Sequence, residues 1–250
     1  MSFDFDVDRV REGVAEIDDA HRSAMATIDD DIRELHAETR KAVGGASRRE
    51  FLIKSALATT AITIGSSVIP VRSFFSASAL AEGLTDADIA AFAASVEYTA
   101  VAAYTAAAKS GKVTTPAIGT AATTFAGHHK QHGDAFQGAS GGKIAKDQTN
   151  KTLLTALSTQ LGQATDEMAV VKLAYGVENA AAATYQFALG ALQDVGAQKL
   201  TASILPVEAG HAAVLGNVLY GTDPSKDKTW LPSFQTEDGH LDPTKYPVNG

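Results

Sequence analysis

One short stretch near the carboxyl end limits what this chain can fold into. Glu208 and His211 stand three residues apart in a segment that is otherwise rich in alanine, valine and leucine. On an α-helix the two side chains lie on one face about one turn apart, whereas on a strand they would point to opposite faces. A carboxylate in apolar surroundings is costly unless it is paired or binds a metal. The stretch therefore predicts a helix that offers Glu208 and His211 as a metal-binding pair.

The sequence between residues 82 and 221 predicts an all-α fold of four long helices in two hairpins. Thr85 with Asp88 is a helix-capping pattern, and Pro116 suits the first turn of a helix. A third helix is expected to begin at Thr165 or Asp166, and a break near residues 195–196 precedes the fourth. The four predicted helices cover, in order, residues 85–108, 116–137, 165–192 and 198–220. Residues 150–162 are expected to form a short helix or an ordered crossover between the hairpins.

Composition supports helices and excludes several functions. Hydrophobic residues make up 45% of the chain and aromatic residues 7%, and alanine dominates the apolar share, which favours packed helices over strands. The net charge of −8 does not suggest a nucleic-acid partner. Because the chain has no cysteine, disulfides, thiolate metal sites and a cysteine nucleophile are excluded. Any metal must therefore be held by oxygen and nitrogen ligands.

An internal repeat relates the two predicted hairpins. The stretch 96–104 aligns with 177–185, and valine, glutamate, two alanines and a tyrosine seven residues after the glutamate coincide. Glu97 thus corresponds to Glu178, 81 residues further on, while His132 corresponds to His211 at an offset of 79 residues. Two copies of one hairpin, each with an acid facing a histidine-bearing helix, explain both offsets.

Distances along the helices bring these residues to one level. Glu97 and His129 each lie about 13 residues from the turn that joins their helices, or about 20 Å at 1.5 Å per residue. Glu178 and His211 lie at similar distances from the second turn. The candidates are therefore expected to converge near the middle of the bundle. Each acid alone could instead be satisfied by a buried tyrosine, lysine or histidine.

Over residues 84–220 this pattern resembles the ferritin-like superfamily, and most closely its exported bacterial members. The family carries Glu on its first helix, Glu-x-x-His on the second, Glu on the third and Glu-x-x-His on the fourth. The resemblance implies a ferritin-like four-helix bundle and six metal ligands, namely Glu97, His129, His132, Glu178, Glu208 and His211. His129 departs from the pattern, because the family has there a glutamate that commonly bridges two metals. The resemblance implies one or two ions, with iron expected and manganese or zinc as alternatives.

Three further residues near the predicted ligands allow more than one interpretation. His128 is expected to lie behind the ligands or at the surface, since it points about 100° away from His129. Tyr104 and Tyr185 lie two turns after their glutamates. They could donate hydrogen bonds to the carboxylates, carry radicals, or pack in the interior with satisfied hydroxyl groups.

The stretch Ser47-Arg48-Arg49-Glu50-Phe51-Leu52 closely resembles a twin-arginine export signal. An apolar run over residues 55–71 and a small-residue site at 79–81 follow, so residues 47–81 are predicted to be a signal peptide. The resemblance implies the twin-arginine translocation machinery as a partner. It also implies a location in the periplasm, the cell envelope or outside the cell, with membrane contact only through the signal.

The two ends of the chain are expected to lie outside the bundle of residues 82–221. Residues 1–46 are charged and amphipathic, and form a leader, a cytoplasmic interaction segment, or a stretch before a later start at Met25. The apolar positions of this segment recur at three- and four-residue steps, which indicates a helix, at Val10, Val14, Ile17, Ala24, Ile28, Ile32 and Leu35. Residues 222–250 have four prolines and are expected to run over the bundle surface as an extended tail.

The resemblance implies a di-iron or di-manganese centre that reacts with O₂ or peroxide, as ferroxidases and catalase-like enzymes do. An alternative is a non-catalytic, stress-associated envelope bundle with one structural metal or none. A manganese catalase-like enzyme is a third hypothesis. Whether the chain forms a homo-oligomer is left open.

Overall fold

The computed structural model describes residues 7–39, 63–64, 67–68, 84–221, 240–243 and 245–248. Most of the predicted signal peptide and most of the predicted tail lie outside these residues. The helices within them are α1 Val7–Thr39, α2 Asp86–Lys109, α3 Pro116–Ala139, α4 Lys151–Gln163, α5 Glu167–Ala191 and α6 Val195–Tyr220. Strands β1 (Thr63–Ile64) and β2 (Ser67–Val68) form a short antiparallel pair. The all-α bundle that the sequence predicts is confirmed.

Side-chain caps begin most of the bundle helices. Thr85 and Asp88 form a reciprocal capping box at the start of α2, as predicted. Asp166 caps α5 by accepting from the backbone N–H of Ala169 at 2.8 Å. The predicted start of α6 at residue 198 is wrong, because Asp194 accepts from the N–H of Ala197 at 2.8 Å and starts the helix at Val195. The break between α5 and α6 therefore lies at residues 192–194.

The two predicted hairpins form the centre of the bundle. Helices α2 and α3 pack along each other, and so do α5 and α6, while α4 packs against α2 and α5. A close approach between α2 and α3 occurs at Gly133, where a Cβ atom would lie 2.7 Å from the ring of Tyr98. Leu153 and Leu157 of α4 pack against Phe92 and Val96 of α2. Apolar layers thus surround the mid-bundle level at which the candidate ligands were expected.

Helix α1 adds a fifth long helix to the four predicted ones. It packs against α6 and α3, and its Val10 and Val14 are buried in the same cluster as Val214 of α6. A Cβ atom on Gly210 of α6 would lie 3.1 Å from Cδ1 of Ile17, so the absence of a side chain at residue 210 lets the helices approach closely. The amphipathic pattern of residues 1–46 indicated a helix, and the structure shows what its apolar face contacts.

Helices α2 and α6 are long and apolar enough to cross a membrane by length and composition alone. Their most apolar windows are 72% and 50% buried inside the protein, respectively. Both helices also carry carboxylates at the centre of the bundle, which is typical of core helices of a helical bundle.

The described residues near the carboxyl end contact the bundle. The side-chain amide of Asn150 donates to the carbonyl of Tyr246 at 2.7 Å, and the N–H of Leu241 donates to Oγ1 of Thr184 at 2.7 Å. The ring of His240 stacks on that of Phe187 with 4.1 Å between centroids. Residues 240, 241 and 246 thus contact α5 and the start of α4.

Candidate metal centre

All six predicted ligands meet in the middle of the bundle. They come from four helices, and each is at most 1% exposed. Their ligand atoms form two groups whose members lie within 4.8 Å of one another. The first group is Glu97, His129, His132 and Glu208, and the second is His129, Glu178, Glu208 and His211. The groups share His129 and Glu208, so two candidate ion positions lie side by side.

The contact between His132 and Glu208 tests whether these residues fit a metal ion. Nδ1 of His132 lies 2.8 Å from Oε1 of Glu208. Even so, among the described residues neither atom has a hydrogen-bonding partner of acceptable geometry, although both are fully buried. Buried polar atoms without partners are rare in native proteins. Two donor atoms that are close but not aimed at each other are what a shared metal ion requires, so the residues fit the ion.

His129 lies between the two halves of the site. Its Nδ1 is 2.7 Å from Oε2 of Glu97, and its Nε2 is 3.1 Å from Oε1 of Glu178. Burial alone would lower the pKa of His129, but Glu208, Glu178 and Glu97 together raise it well above its ordinary value. Without a metal, His129 is therefore an imidazolium that bridges two carboxylates at the position where the family pattern has a glutamate.

In three of the other ligands, contact between acids and imidazoles also outweighs burial and shifts the pKa. Burial opposes ionisation of Glu97, yet its pairing with His129 and His132 lowers its pKa to about 2. Burial likewise opposes protonation of His132, yet the adjacent carboxylates of Glu208 and Glu97 raise its pKa to about 9. The carboxylates of Glu178 and Glu208 also outweigh burial and raise the pKa of His211. The metal-free site thus places three acidic side chains against three imidazole rings, and this pairing opposes the effect of burial at Glu97, His132 and His211.

The two tyrosines of the repeat bond to the glutamates in a crossed manner. The hydroxyl of Tyr104 on α2 donates to Glu178 on α5, and the hydroxyl of Tyr185 on α5 donates to Glu97 on α2. Burial and the neighbouring carboxylates raise the pKa of both hydroxyl groups well above the ordinary value. Both tyrosines therefore stay protonated and act as donors, which is one of the predicted interpretations.

His128 is buried, with 1% of its surface exposed, and it contacts both the predicted ligand His211 and helix α1. Its Nδ1 is 2.9 Å from Nε2 of His211, and its Nε2 is 3.0 Å from Oδ1 of Asp18. Burial lowers the pKa of His128 to about 4, so the ring is neutral. Of the two predicted positions for His128, the one behind the ligands is confirmed and the surface position is wrong.

Sequence reasoning missed two residues of α1. Nδ1 of His21 lies 3.2 Å from Nε2 of His132, and burial lowers the pKa of His21 to about 3. Asp18 contacts His128 as described above. A signal was available, because His21 follows Ile17 by four residues and interrupts the apolar stripe of Val10, Val14 and Ile17.

The acid that was set aside on α3 is indeed outside the site. Asp134 accepts from Nζ of Lys130 at 2.6 Å and from the hydroxyl of Tyr98 at 2.9 Å. Those pairings lower the pKa of Asp134 against the effect of burial. No carboxylate of α3 therefore replaces the glutamate that the family pattern has at the position of His129.

Comparison with known proteins agrees with this arrangement. A family model described as the ferritin-like domain matches residues 85–221, more than half of the chain. The chain belongs to the ferritin-like family. The matched residues span α2 to α6 of this ferritin-like domain, including all six candidate ligands, while α1 lies outside the match. No curated protein and no solved structure shows significant similarity to the chain.

Proposed function

We propose that this ferritin-like protein is exported and holds two iron or manganese ions that react with O₂ or peroxide. The observation that carries the proposal is the pair of ligand groups that share His129 and Glu208. Neighbouring ion positions with shared ligands are typical of the dinuclear carboxylate centres of helical bundles. Oxygen and nitrogen ligands suit iron, manganese and zinc.

The residues of the chain would divide the binding between the two halves of the site. Glu97 and His132 would hold one ion and Glu178 and His211 the other, while Glu208 and His129 belong to both ligand groups. When bound, a redox-active pair of ions would supply electrons for reduction of O₂, or would pass electrons from one peroxide molecule to another in disproportionation. The protein would hold the ligands in place and exclude bulk water, since the six side chains are at most 1% exposed.

A crevice beside Tyr104 offers space for a small molecule. It has a volume of about 40 Å³ and lies between α2, α4 and α5, with walls that include Ala107, Leu161 and Val170. The ring of Tyr104 stacks on His129 with 5.5 Å between centroids. Apolar walls favour a small neutral molecule over an ion, because an ion would lose its hydration there. O₂ and peroxide meet that requirement.

The reaction is tested with full-length protein loaded with Fe²⁺ under anaerobic conditions and then mixed with O₂ or peroxide. Iron oxidation is followed by absorbance and oxidant consumption by an electrode. We expect Glu208→Ala to lower the rate at least 10-fold, because Glu208 belongs to both ligand groups. Asp134→Ala is the matched control, since it removes a carboxylate of α3 outside the site. Equal rates in wild type and Glu208→Ala would contradict the proposal.

One observation favours the alternative of a non-catalytic bundle. The three acids and three imidazoles of the site lie within ion-pair distance of each other, so these side chains contact one another without an ion. A purely structural bundle would keep its full stability in chelator and show no change on addition of Fe²⁺, Mn²⁺ or Zn²⁺. A dinuclear metalloprotein would unfold at a higher temperature with the bound ion, because a ligand that binds only the folded state stabilises it.

Export is the other part of the proposal. It is supported by the twin-arginine resemblance of residues 47–52 and by the small-residue site at 79–81. In cells that express the full chain, we expect an exported product that begins at Glu82. An Arg48→Lys, Arg49→Lys double variant should stay in the cytoplasm. An unchanged distribution of that variant between the compartments would contradict export by this route.

A further inference from the structure

We propose that α1 completes the metal centre, with Asp18 and His21 as positioning residues for two of its imidazole ligands, His211 on α6 and His132 on α3. Asp18 acts on His211 through His128, and His21 acts on His132 directly. This inference rests on the proposed function, because it concerns the ions that the site would hold. It adds residues that lie outside the ferritin-like match of residues 85–221.

The first chain of contacts fixes His211. A carboxylate only accepts, so Nε2 of His128 donates to Asp18 across 3.0 Å. The 2.9 Å contact between Nδ1 of His128 and Nε2 of His211 needs one donor and one acceptor, and with the proton of His128 on Nε2 the donor is Nε2–H of His211. The remaining nitrogen of His211, Nδ1, faces Glu178 at 3.1 Å and Glu208 at 3.2 Å. Asp18 therefore sets which nitrogen of His211 is offered to the metal.

The second chain of contacts does the same for His132. Nε2 of His132 lies 3.2 Å from Nδ1 of His21, while Nδ1 of His132 lies 2.8 Å from Glu208. With Nε2–H of His132 donated to His21, its Nδ1 is left for the metal. His132 and His211 thus each present Nδ1 to the carboxylates and Nε2 to a second histidine. Partners of this kind fix the tautomer and the ring orientation of metal-binding histidines.

Packing holds α1 in register for these contacts. Gly13 on α1 and Gly210 on α6 each lack the side chain that would press on the opposite helix, where a Cβ atom would be 3.1 Å from Val214 or Ile17. Gly210 itself lies between Glu208 and His211. Arg22 pairs with the second carboxylate oxygen of Asp18, one turn along α1. The close approach therefore occurs at the same level as the metal ligands.

Simple packing of an amphipathic helix does not account for His21. A helix that only covers apolar surface would carry an apolar residue at that position, yet His21 is 1% exposed and its ring lies 4.1 Å from that of His128. Burial of a polar ring is unfavourable unless it gains a partner. The partner is Nε2 of His132, and this makes α1 part of the site. Cleavage after Ala81, which the export proposal predicts, would cut the chain between α1 and the ligands. The inference therefore concerns the full chain before that cleavage.

The test uses the full chain and Co²⁺, whose visible absorption reports the geometry of its ligands. Affinity is measured by competition with a chelator for wild type, Asp18→Ala, Asp18→Asn and His21→Gln. Asp19→Asn is the matched control, because Asp19 is the neighbouring acid on α1 and its side chain is 87% exposed. Nitrogen NMR of the imidazoles in metal-free protein gives the tautomers of the His128 and His21 rings independently of any ion.

We expect Asp18→Ala and His21→Gln to weaken Co²⁺ binding about 10-fold or more and to change the absorption bands. Asp18→Asn keeps the shape of the side chain, so it should fold like wild type and still move part of the proton on His128 from Nε2 to Nδ1. Asp19→Asn should match wild type in affinity, absorption and tautomer. Unchanged affinity, absorption and tautomers in all Asp18 and His21 variants would overturn the inference while leaving the proposed function intact. Absence of Co²⁺ binding by wild type would overturn both.

Discussion

The hydroxyl of Tyr104 donates a hydrogen bond to the carboxylate of Glu178, which lies 74 residues further along the chain on another helix. The same contact recurs in reverse, from Tyr185 to Glu97. Each tyrosine of the internal repeat therefore donates its hydrogen bond to the glutamate of the other copy. The crossed pair joins the two hairpins through the site itself, so that the stability of the bundle and the geometry of the ligands depend on the same contacts.

Replacing either tyrosine should destabilise the metal-free protein. Tyr104→Phe leaves a buried charged acceptor with one partner fewer, and loss of such a bond costs about 1.5–3 kcal/mol in the free energy of unfolding. Tyr185→Phe should cost a similar amount. Both variants should also weaken metal binding, because Glu178 and Glu97 lose a contact that orients them. Urea unfolding and metal competition measure the two effects.

Tyr98→Phe provides a control for that experiment. It removes another tyrosine–carboxylate bond of α2, but its acceptor is Asp134 outside the site. We expect Tyr98→Phe to lower stability without changing metal affinity. If Tyr98→Phe and Tyr104→Phe affected metal affinity equally, the orienting role of Tyr104 would be wrong.

In the metal-free protein, the pairing of Glu97 and His132 should contribute most to stability between about pH 4.5 and 6.5. The pKa of His132 rises from 6.5 to about 9 on folding, so its contribution is complete below pH 6.5 and is lost as the pH rises to about 9. The pKa of Glu97 falls from 4.5 to about 2 on folding, so its contribution is complete above pH 4.5 and is lost as the pH falls to about 2. Urea unfolding in chelator across this range measures both limbs.

His132→Gln should flatten the alkaline limb of that profile, since glutamine does not titrate. A free energy of unfolding that stays constant from pH 6.5 to 9 in the wild-type protein would show that His132 is not an imidazolium in the metal-free site.

His129→Glu should separate metal binding from metal-free stability. The substitution restores the glutamate of the family pattern, but it replaces the cation between Glu97 and Glu178 with a fourth buried carboxylate. Without metal we expect a large loss of stability, because like charges would face each other in a low-dielectric interior. With two divalent ions we expect tighter binding than in wild type, because four carboxylates neutralise the ions better than three.

His129→Gln distinguishes this explanation from simple damage to the core. It removes the cation without adding a carboxylate, so it should destabilise the metal-free protein less than His129→Glu and should not improve metal binding. Calorimetric titration with Mn²⁺ compares the three proteins. Weaker binding of Mn²⁺ by His129→Glu than by His129→Gln would contradict the charge argument.

Gly210→Ala should loosen α1 from the bundle. The new Cβ atom would lie 3.1 Å from the side chain of Ile17, and such overpacking costs about 1–3 kcal/mol. Gly127→Ala is the control, because it also lies inside a long helix but its Cβ atom would meet nothing within 4 Å. Alanine there should stabilise the helix by up to about 1 kcal/mol. Hydrogen exchange of α1 should rise in Gly210→Ala alone, and equal exchange in both variants would contradict close packing at residue 210.

Much of the bundle could be predicted because its signals are local. Thr85, Asp88 and Pro116 mark helix starts through contacts within a few residues, and the periodic apolar positions follow from helix geometry. The repeat added long-range information, since a shared spacing of Glu97 and Glu178 from their turns implies a shared level in the bundle. That level can be predicted without knowing the rotation of each helix about its own axis.

The parts that were missed depend on contacts between distant segments. The apolar stripe of α1 shows that the helix has a face to bury, but it does not identify α6 as the partner. The close fit at Gly210 and Ile17 decides that partner, and no local pattern encodes it. The two-sided contact of His129 with Glu97 and Glu178 likewise depends on ring orientation, which residue spacing leaves open.

The central claim is that the six buried ligands hold two metal ions, and metal content tests it most directly. Full-length protein purified without chelator is compared with a Glu178→Ala, Glu208→Ala double variant by elemental analysis, with helix content checked by circular dichroism. The account predicts about two iron or manganese ions per wild-type chain and their loss from the folded variant. Absence of bound metal from a correctly folded wild-type chain, even after incubation with Fe²⁺ or Mn²⁺, would contradict it.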